Sequence, residues 1–265
     1  MEQPAAVAPS PWPARRRRAE QLRLRYPFAA EVLTLYLALL DVQEPAFEAA
    51  AALPPEVPDE ATSSLLAREL LPRVVEATVA AGPPALAEAV VARFHSADVD
   101  DLVGRWLRGA EQAVVDRYLA RASCAPVLEA MPAGATIPTG GEGRNCPQCG
   151  GLPQLSYSAA SGDALVTGPR RLVCARCAAE WIHPRMVCAA CGEETSGRLP
   201  VYSEAEQLPH LRIEGCDTCK RYLIGVDLRR DAAAVPVVDE LAALPLDLYA
   251  KERGLSKVVP NLMGM

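Results

Sequence analysis

Hydrophobic residues in the first half of the chain recur with the period of an α-helix. One series lies at positions i, i+3, i+4 and i+7 and consists of Leu33, Tyr36, Leu37 and Leu40. A second series consists of Val103, Trp106, Leu107, Ala110, Val114 and Tyr118. Apolar positions at this spacing share one face of a helix and must pack against another element. The pattern therefore predicts a helical bundle domain over residues 14–130, preceded by a Pro/Ala-rich and disordered segment at 1–13.

Polar residues and prolines indicate where these helices begin and end. The second series predicts one long helix, with Asp98 as its N-cap. Pro72 is expected to break the apolar face that runs over 65–79. The pairs Pro54-Pro55 and Pro83-Pro84 are expected to separate helices, and Pro84 suits the first turn of the next one.

The pattern changes after residue 130. Residues 131–145 have the Gly/Pro-rich composition of a linker and no periodicity. Residues 146–231 contain short strand-like runs, and Leu241, Leu244 and Leu248 return to helical spacing in a tail over 232–265. The predicted fold class is therefore α+β, with the helical domain followed by a region of short β-strands and a short helical tail.

Eight of the nine cysteines fall in four Cys-x-x-Cys pairs, and the pairs repeat. They occupy 146–149, 174–177, 188–191 and 216–219. The first and second pairs are separated by 24 residues, and so are the third and fourth pairs. The whole unit therefore recurs with an offset of 42 residues, from Cys146 to Cys188. A fixed period predicts a duplicated structural unit, which divides this region into 146–187 and 188–231.

The spacing of each pair has a chemical reason. Two residues between cysteines form a tight turn that points both sulfurs at one ion, and two such turns supply a tetrahedral four-thiolate site. Gly150 and Gly192 follow the turns and are expected at positive φ. The predicted units are rubredoxin-like or zinc-ribbon folds, each binding one metal ion. The predicted ligands are Cys146, Cys149, Cys174 and Cys177 for the first ion, and Cys188, Cys191, Cys216 and Cys219 for the second.

Two questions about these sites stay open at the level of sequence. Sequential pairing within each repeat is favoured because it closes each unit on itself, although pairing across the repeats, such as Cys149 with Cys188, is sterically possible. Four sulfur ligands suit iron and zinc equally. Because sulfur fills all four positions, no metal-bound water remains for hydrolysis, and the chain is not expected to be an enzyme.

Composition limits the remaining classes of function. The 265-residue chain is half hydrophobic with a formal net charge of −6, so general attraction for nucleic acid is not expected. No secretory signal is evident and no apolar run reaches about 18 residues, which predicts a cytoplasmic protein without membrane insertion. Cys124 is expected to be a small core residue, and His183 to be a surface contact rather than a ligand. The run at 15–18 (RRRR) is most simply a solvated helix face.

The sequences around the cysteines resemble the formate dehydrogenase accessory protein family FdhE. The similar pieces are CPQCGGLP at 146–153, RRLVCARCAAEW at 170–181, CAAC at 188–191, CDTCKRYL at 216–223 and VVDELAALPLDLYAKERG at 237–254. A weaker likeness covers 26–43. The resemblance implies a helical domain followed by two rubredoxin-like units, with the eight cysteines as ligands. It also implies a cytoplasmic, non-catalytic factor that binds the catalytic subunit of formate dehydrogenase.

Two other functions remain as alternatives to this assembly factor. A zinc-ribbon nucleic-acid-binding module is one, because the first unit is locally basic. A rubredoxin-like electron carrier is the other, and it requires iron with a reversible one-electron couple. The large helical domain favours docking over simple electron transfer.

Overall fold

The computed structural model describes residues 10–53, 60–96, 100–130, 144–160, 167–262 and 264. Its first part is helical, as the apolar periodicity predicts. The described residues up to 130 contain six α-helices: α1 (Trp12–Arg25), α2 (Ala30–Ala51), α3 (Glu60–Ala81), α4 (Pro84–Phe94), α5 (Asp100–Leu107) and α6 (Val114–Glu129). A 3-10 turn at Pro27–Ala29 joins α1 to α2. None of the helices in the described residues is long and apolar enough to cross a bilayer.

Helix boundaries differ from the sequence prediction at several places. The predicted single helix over 103–118 is wrong: α5 ends at Leu107, and α6 starts at Val114. Gly109, at a φ of +72°, lies in the connection, where a left-handed residue cannot continue a helix. The predicted break at Pro72 is also wrong, because α3 continues through it.

Other boundaries agree with the prediction or fall outside the described residues. Pro84 is the first residue of α4. α1 begins at Trp12, two residues before the predicted start of the helical domain. Pro54-Pro55, Asp98 and most of the predicted linker, 131–143, lie outside the described residues, as do residues 1–9 of the predicted disordered N-terminus.

The cysteine region forms one mixed sheet of seven strands. The strands are β1 (Pro153–Ala160), β2 (Thr167–Cys174), β3 (Glu180–Ile182), β4 (Val201–Ser203), β5 (Leu211–Cys216), β6 (Arg221–Asp227) and β7 (Ser256–Lys257). Their order is β3-β2-β1-β6-β5-β4, and β7 pairs with β6. The parallel pairing of β1 with β6 fuses the two repeated units into one sheet, which the sequence did not predict.

The tail adds helices and the last strand to this sheet. α7 (Pro236–Asp239), a 3-10 turn at Glu240–Ala242 and α8 (Leu244–Glu252) agree with the predicted helical spacing. Gly254, at a φ of +72°, follows α8, and the chain then enters β7.

Two hydrophobic clusters join the helices to the sheet. In the first, helical residues such as Leu119 and Trp106 pack with the first four cysteines of the array. In the second, Leu22 of α1 and Leu33 of α2 pack with sheet residues such as Leu155 and Ile224 and with the tail. The helical part therefore covers the sheet directly, rather than being tethered to it.

Candidate metal centres

The first cysteine cluster consists of Cys146, Cys149, Cys174 and Cys177. Their four sulfur atoms all lie within 4.8 Å of one another. Cys146 Sγ is 3.7 Å from Cys177 Sγ, and Cys149 Sγ is 3.4 Å from Cys174 Sγ. All four side chains are buried, with at most 4% of their surface exposed. One pair comes from the turn before β1 and the other from the end of β2 and the turn after it.

The second cysteine cluster repeats this arrangement with Cys188, Cys191, Cys216 and Cys219. Its sulfurs also lie within 4.8 Å of one another, with Cys188 Sγ 3.8 Å from Cys219 Sγ and Cys191 Sγ 3.7 Å from Cys216 Sγ. Cys216 is buried, whereas the other three are only half-buried. The structure thus groups the pairs in sequence order and does not bring Cys149 together with Cys188.

Equivalent hydrogen bonds and strand pairs occur in the two clusters at positions 42 residues apart. Cys146 N donates to Gly151 O at 2.8 Å, and Cys188 N donates to Glu193 O at the same distance. The register of β2 against β3 pairs Leu172 with Trp181, as β5 against β6 pairs Glu214 with Leu223. Each of these positions differs from its counterpart by 42. The repeat predicted from the spacing is therefore confirmed.

Each cysteine turn is followed by a residue at positive φ. Gly150 (66°) and Gly192 (79°) confirm the prediction, since glycine enters this region without steric cost. Ala178 (55°) and Lys220 (56°) take the same position after the other two turns, again 42 residues apart. Sequence reasoning missed these two, because neither residue type marks a left-handed conformation.

The geometry of both clusters fits a tetrahedral metal ion. Four bonds of about 2.3 Å place the sulfurs about 3.8 Å apart along each edge of the tetrahedron. Four of the sulfur–sulfur separations, at 3.4–3.8 Å, lie at or near this edge, and the others stay within 4.8 Å. The four are far longer than the roughly 2.05 Å of a disulfide. Backbone amides also face the sulfurs: Arg176 N lies 3.3 Å from Cys174 Sγ, and Ala190 N lies 3.4 Å from Cys188 Sγ. Such donors stabilise thiolate charge.

Without a cation the four sulfurs of the first cluster cannot all ionise together. Hydrogen bonds with Cys149, Cys174 and Cys177 lower the pKa of Cys146, whereas those with Cys146, Cys149 and Cys174 raise the pKa of Cys177. A thiolate that forms first thus suppresses the last. A bound divalent ion removes this conflict, because each ligand then binds as thiolate.

One family model and several known proteins are similar to parts of this chain. Residues 186–263 match the family model described as "FdhE, C-terminal domain". The chain is 36% identical over 119 residues to an FdhE homologue of Aquifex aeolicus, covering 45% of this chain and 41% of that protein. It is 30% identical over 133 residues to the FdhE protein of Escherichia coli, covering 50% of this chain and 41% of that protein.

The C-terminal part of the chain is thus similar to the FdhE family. Its fold is shared over nearly the whole length: the crystal structure of the FdhE protein from Pseudomonas aeruginosa superposes with a TM-score of 0.69 and 24% identity, covering 97% of both chains. The sequence alignments span less than half the length of the curated FdhE relatives. The resemblance drawn from the cysteine flanks is therefore confirmed.

A buried charged cluster in this FdhE fold was missed by sequence reasoning. Arg18 donates to both carboxylate oxygens of Asp239, at 2.9 Å from Nε to Oδ2, and to Asp231 at 2.6 Å. His210 Nε2 lies 2.8 Å from Asp239 Oδ1. The His210, Asp231 and Asp239 side chains could also hold a metal ion, but the Arg18 guanidinium supplies the cation between them.

The arginine run at 15–18 is therefore only partly a solvated face. Arg15 is buried in an ion pair with Glu129, and Arg18 is buried in the cluster above. Arg16 is half-buried and Arg17 is exposed. The signal was available, because Trp12, Arg15 and Leu22 lie on one helix face at i, i+3 and i+10, and Arg18 lies beside them.

The other candidate residues, Cys124 and His183, belong to neither cysteine cluster. Cys124 is 1% exposed within the helical core, as predicted, and burial raises the pKa of its thiol to about 12. His183 was expected at the surface, but it is buried just after β3. Among the described residues it is not grouped with either set of sulfurs.

Proposed function

We propose that this FdhE-type protein is an accessory factor for the assembly of formate dehydrogenase. It binds the enzyme's catalytic subunit in the cytoplasm and is not itself an enzyme. The proposal is supported by the names of the relatives, by the fold shared with the Pseudomonas aeruginosa FdhE protein and by the duplicated cysteine units. The observation that carries it is the pair of four-sulfur clusters on one continuous sheet.

The same proposal assigns a metal ion to each cluster. The ligands are the eight cysteines in the units 146–187 and 188–231, and the ion is iron or zinc. Four protein sulfurs close the coordination sphere, so the ions hold structure or carry electrons rather than activate water. Since the units contain few residues, metal binding supplies about 10 kcal/mol or more toward the folding of each site.

A rigid metal-bound sheet suits a factor that recognises a folding client. The helical domain packs on one set of sulfurs through Trp106 and Leu119, while the second set stays half-exposed. The protein thus presents a fixed surface whose shape depends on bound metal. This arrangement favours a docking role over a simple electron carrier, which needs no such helical domain.

Genetic complementation tests the function. Deleting the gene should abolish formate oxidation by the host, and the wild-type gene should restore it. A gene with Cys188→Ser and Cys216→Ser should fail, whereas Cys124→Ala, which alters the cysteine outside the clusters, should restore activity. Unchanged formate oxidation in the deletion strain would reject the role in formate dehydrogenase assembly.

A further inference from the structure

Two arginine-lined clefts lie beside the two cysteine clusters and meet. The first-cluster cleft, of 470 Å³, is bordered by Gly150 and Gly151 of the first cysteine turn. The second-cluster cleft, of 340 Å³, is bordered by Cys188 and Ala189 of the second. Both are lined by Arg221 and Val258, so the two clefts adjoin at these residues, and together they are called the track.

The lining of this track is strongly cationic. Its arginines are Arg108, Arg117, Arg170, Arg176, Arg185, Arg212, Arg221 and Arg229. The carboxylates that line it are Glu111 and Glu214. A chain with a formal net charge of −6 thus gathers positive charge on one surface.

Four of these arginines have carboxylate partners. Arg170 and Arg212 share the one carboxylate of Glu214, at 2.7 Å each. Arg229 pairs with Asp227, and Arg108 pairs with Asp101. Three carboxylates therefore offset three of these four positive charges.

The other four arginines have no carboxylate partner among the residues that the structure describes. Arg176 donates to the carbonyls of Trp106 and Leu107, Arg185 to that of Gly168, and Arg221 to that of Val258. A carbonyl orients a guanidinium without cancelling its charge. These arginines are therefore held in place with free charge, and Arg185 and Arg221 are exposed to a ligand.

Arg117 completes the set at the far end of the first-cluster cleft. It is half-buried on α6 and also borders the segment at Pro260 and Asn261. Arg117 and Arg185 thus lie in the two different clefts, with Arg221 between them. A ligand that satisfies all three must be extended and must carry several negative charges.

We infer that this track binds an acidic, extended segment of the client polypeptide. The inference rests on the proposed function and names the surface by which the protein binds its client. Carboxylates along such a segment pair with Arg185, Arg221 and Arg117, and bidentate arginine–carboxylate bonds fix its direction. Electrostatic complementarity of this kind speeds encounter and selects the partner. Docking then brings the client across both metal centres.

A nucleic acid fits the same surface less well. Single strands bind through stacking of bases on exposed aromatic rings. The aromatic residues that line the track, Trp106 and Tyr222, are only 8% and 1% exposed. The acidic remainder of the protein also repels a long polyanion, whereas a short acidic segment stays within the clefts.

The test compares two triple variants with the same change in charge. The track variant is Arg117→Glu, Arg185→Glu and Arg221→Glu. The control is Arg17→Glu, Arg68→Glu and Arg73→Glu, three exposed arginines of α1 and α3 that lie outside both clefts. Metal content and circular dichroism of each variant are compared with wild type. Binding of the host's formate dehydrogenase catalytic subunit is measured by titration at low and high salt.

The track variant should bind the catalytic subunit about 30-fold or more weakly, while the control should bind like wild type. A short poly-glutamate peptide should compete with the subunit, and salt should weaken wild-type binding. Equal loss of affinity in both variants, or none in either, overturns the track. So does loss of metal from the track variant alone, because the arginines would then stabilise the clusters.

Two further results separate the possible failures. If wild-type protein does not bind the catalytic subunit, the proposed function itself fails. If wild type binds mixed-sequence DNA or RNA oligonucleotides and only the track variant loses that binding, the ligand is nucleic acid and the inference about an acidic polypeptide is wrong.

Discussion

A buried ion pair between two single residues links the helical part of the protein to its C-terminal tail. Arg18 of α1 and Asp239 of α7 are 221 residues apart in sequence, yet they form a bidentate pair with almost no solvent contact. His210 and the backbone amide of Val235 also hydrogen-bond to Asp239. Because one carboxylate serves three partners, its loss leaves several buried groups unsatisfied.

Substitution Asp239→Asn should therefore destabilise the protein strongly. Removing one member of a buried ion pair costs about 3–5 kcal/mol. Because Asp231 still pairs with Arg18 in this variant, the expected cost is at the lower end of that range. The matched control is Asp217→Asn, which breaks an exposed pair with Lys220 and should cost less than about 1 kcal/mol. Urea unfolding of the metal-loaded proteins measures both. A similar decrease in the free energy of unfolding in both variants would show that the buried pair stabilises the protein no more than the exposed one.

Sequence reasoning at the residue scale succeeded where spacing encodes chemistry. The positive φ of Gly150 and Gly192 follows from the turn that two cysteines must form. The helix face of Arg18 gives a sign of its burial, but its partner cannot be read in this way, because Asp239 lies in a distant element. Only the fold brings the two together.

At the scale of elements, the notable contact is between the two repeated units. Glu214 of β5 accepts hydrogen bonds from Ser156 of β1 at 2.7 Å and from Arg170 of β2. To do so its carboxylate passes over β6, where Gly225 leaves space. A Cβ on Gly225 would lie 2.7 Å from Glu214 Oε1. Glycine at this strand position thus permits a bond between the units.

The charge of Glu214 makes this bond sensitive to acid. Burial alone raises the pKa of the carboxyl, but Arg170 and Arg212 outweigh burial and hold the pKa below its ordinary value of 4.5. A carboxyl with a lowered pKa in the folded state contributes stability above its unfolded value. That contribution disappears as the pH falls through the lowered value.

Glu214→Gln should accordingly cost about 3 kcal/mol of unfolding free energy at neutral pH. The difference from wild type should shrink progressively once the pH falls below 4.5, the ordinary value of the carboxyl. Denaturant unfolding over a pH series, with metal content checked at each point, gives this difference. Glu206→Gln, at an exposed carboxyl, should show little change at any pH. A constant difference across the series would contradict the ion-pair account.

The helices and strands themselves were only partly predictable. The helical class of residues 14–130 and the repeat of the cysteine units follow from apolar periodicity and spacing. The joining of β1 to β6 does not, because strands in separate repeats carry no sequence mark of their pairing. The split between α5 and α6 was missed since the apolar series continues across Gly109 with helical spacing.

At the scale of the whole molecule, the two cysteine clusters lie in different surroundings. The first cysteine cluster is buried against the helical domain. In the second cluster, three of the four cysteines are half-exposed. One duplicated unit has therefore become an inner site and the other an outer one.

This difference predicts ordered loss of metal. A chelator should remove the ion of the second cluster first and that of the first cluster later, because release requires solvent to reach the sulfurs. Release followed by absorbance should show two phases, and Cys188→Ser with Cys216→Ser should eliminate the fast one. A single phase in wild-type protein, or loss of the slow phase in that variant, would contradict the assignment of inner and outer sites.

Native mass spectrometry of anaerobically purified protein, combined with elemental analysis, tests the central claim most directly. Two ions of iron or zinc per chain are expected, bound by eight thiolates without disulfides, and one ion per chain when Cys188 and Cys216 are replaced by serine. Protein that is folded but binds no metal, or whose cysteines form disulfides instead, would contradict it.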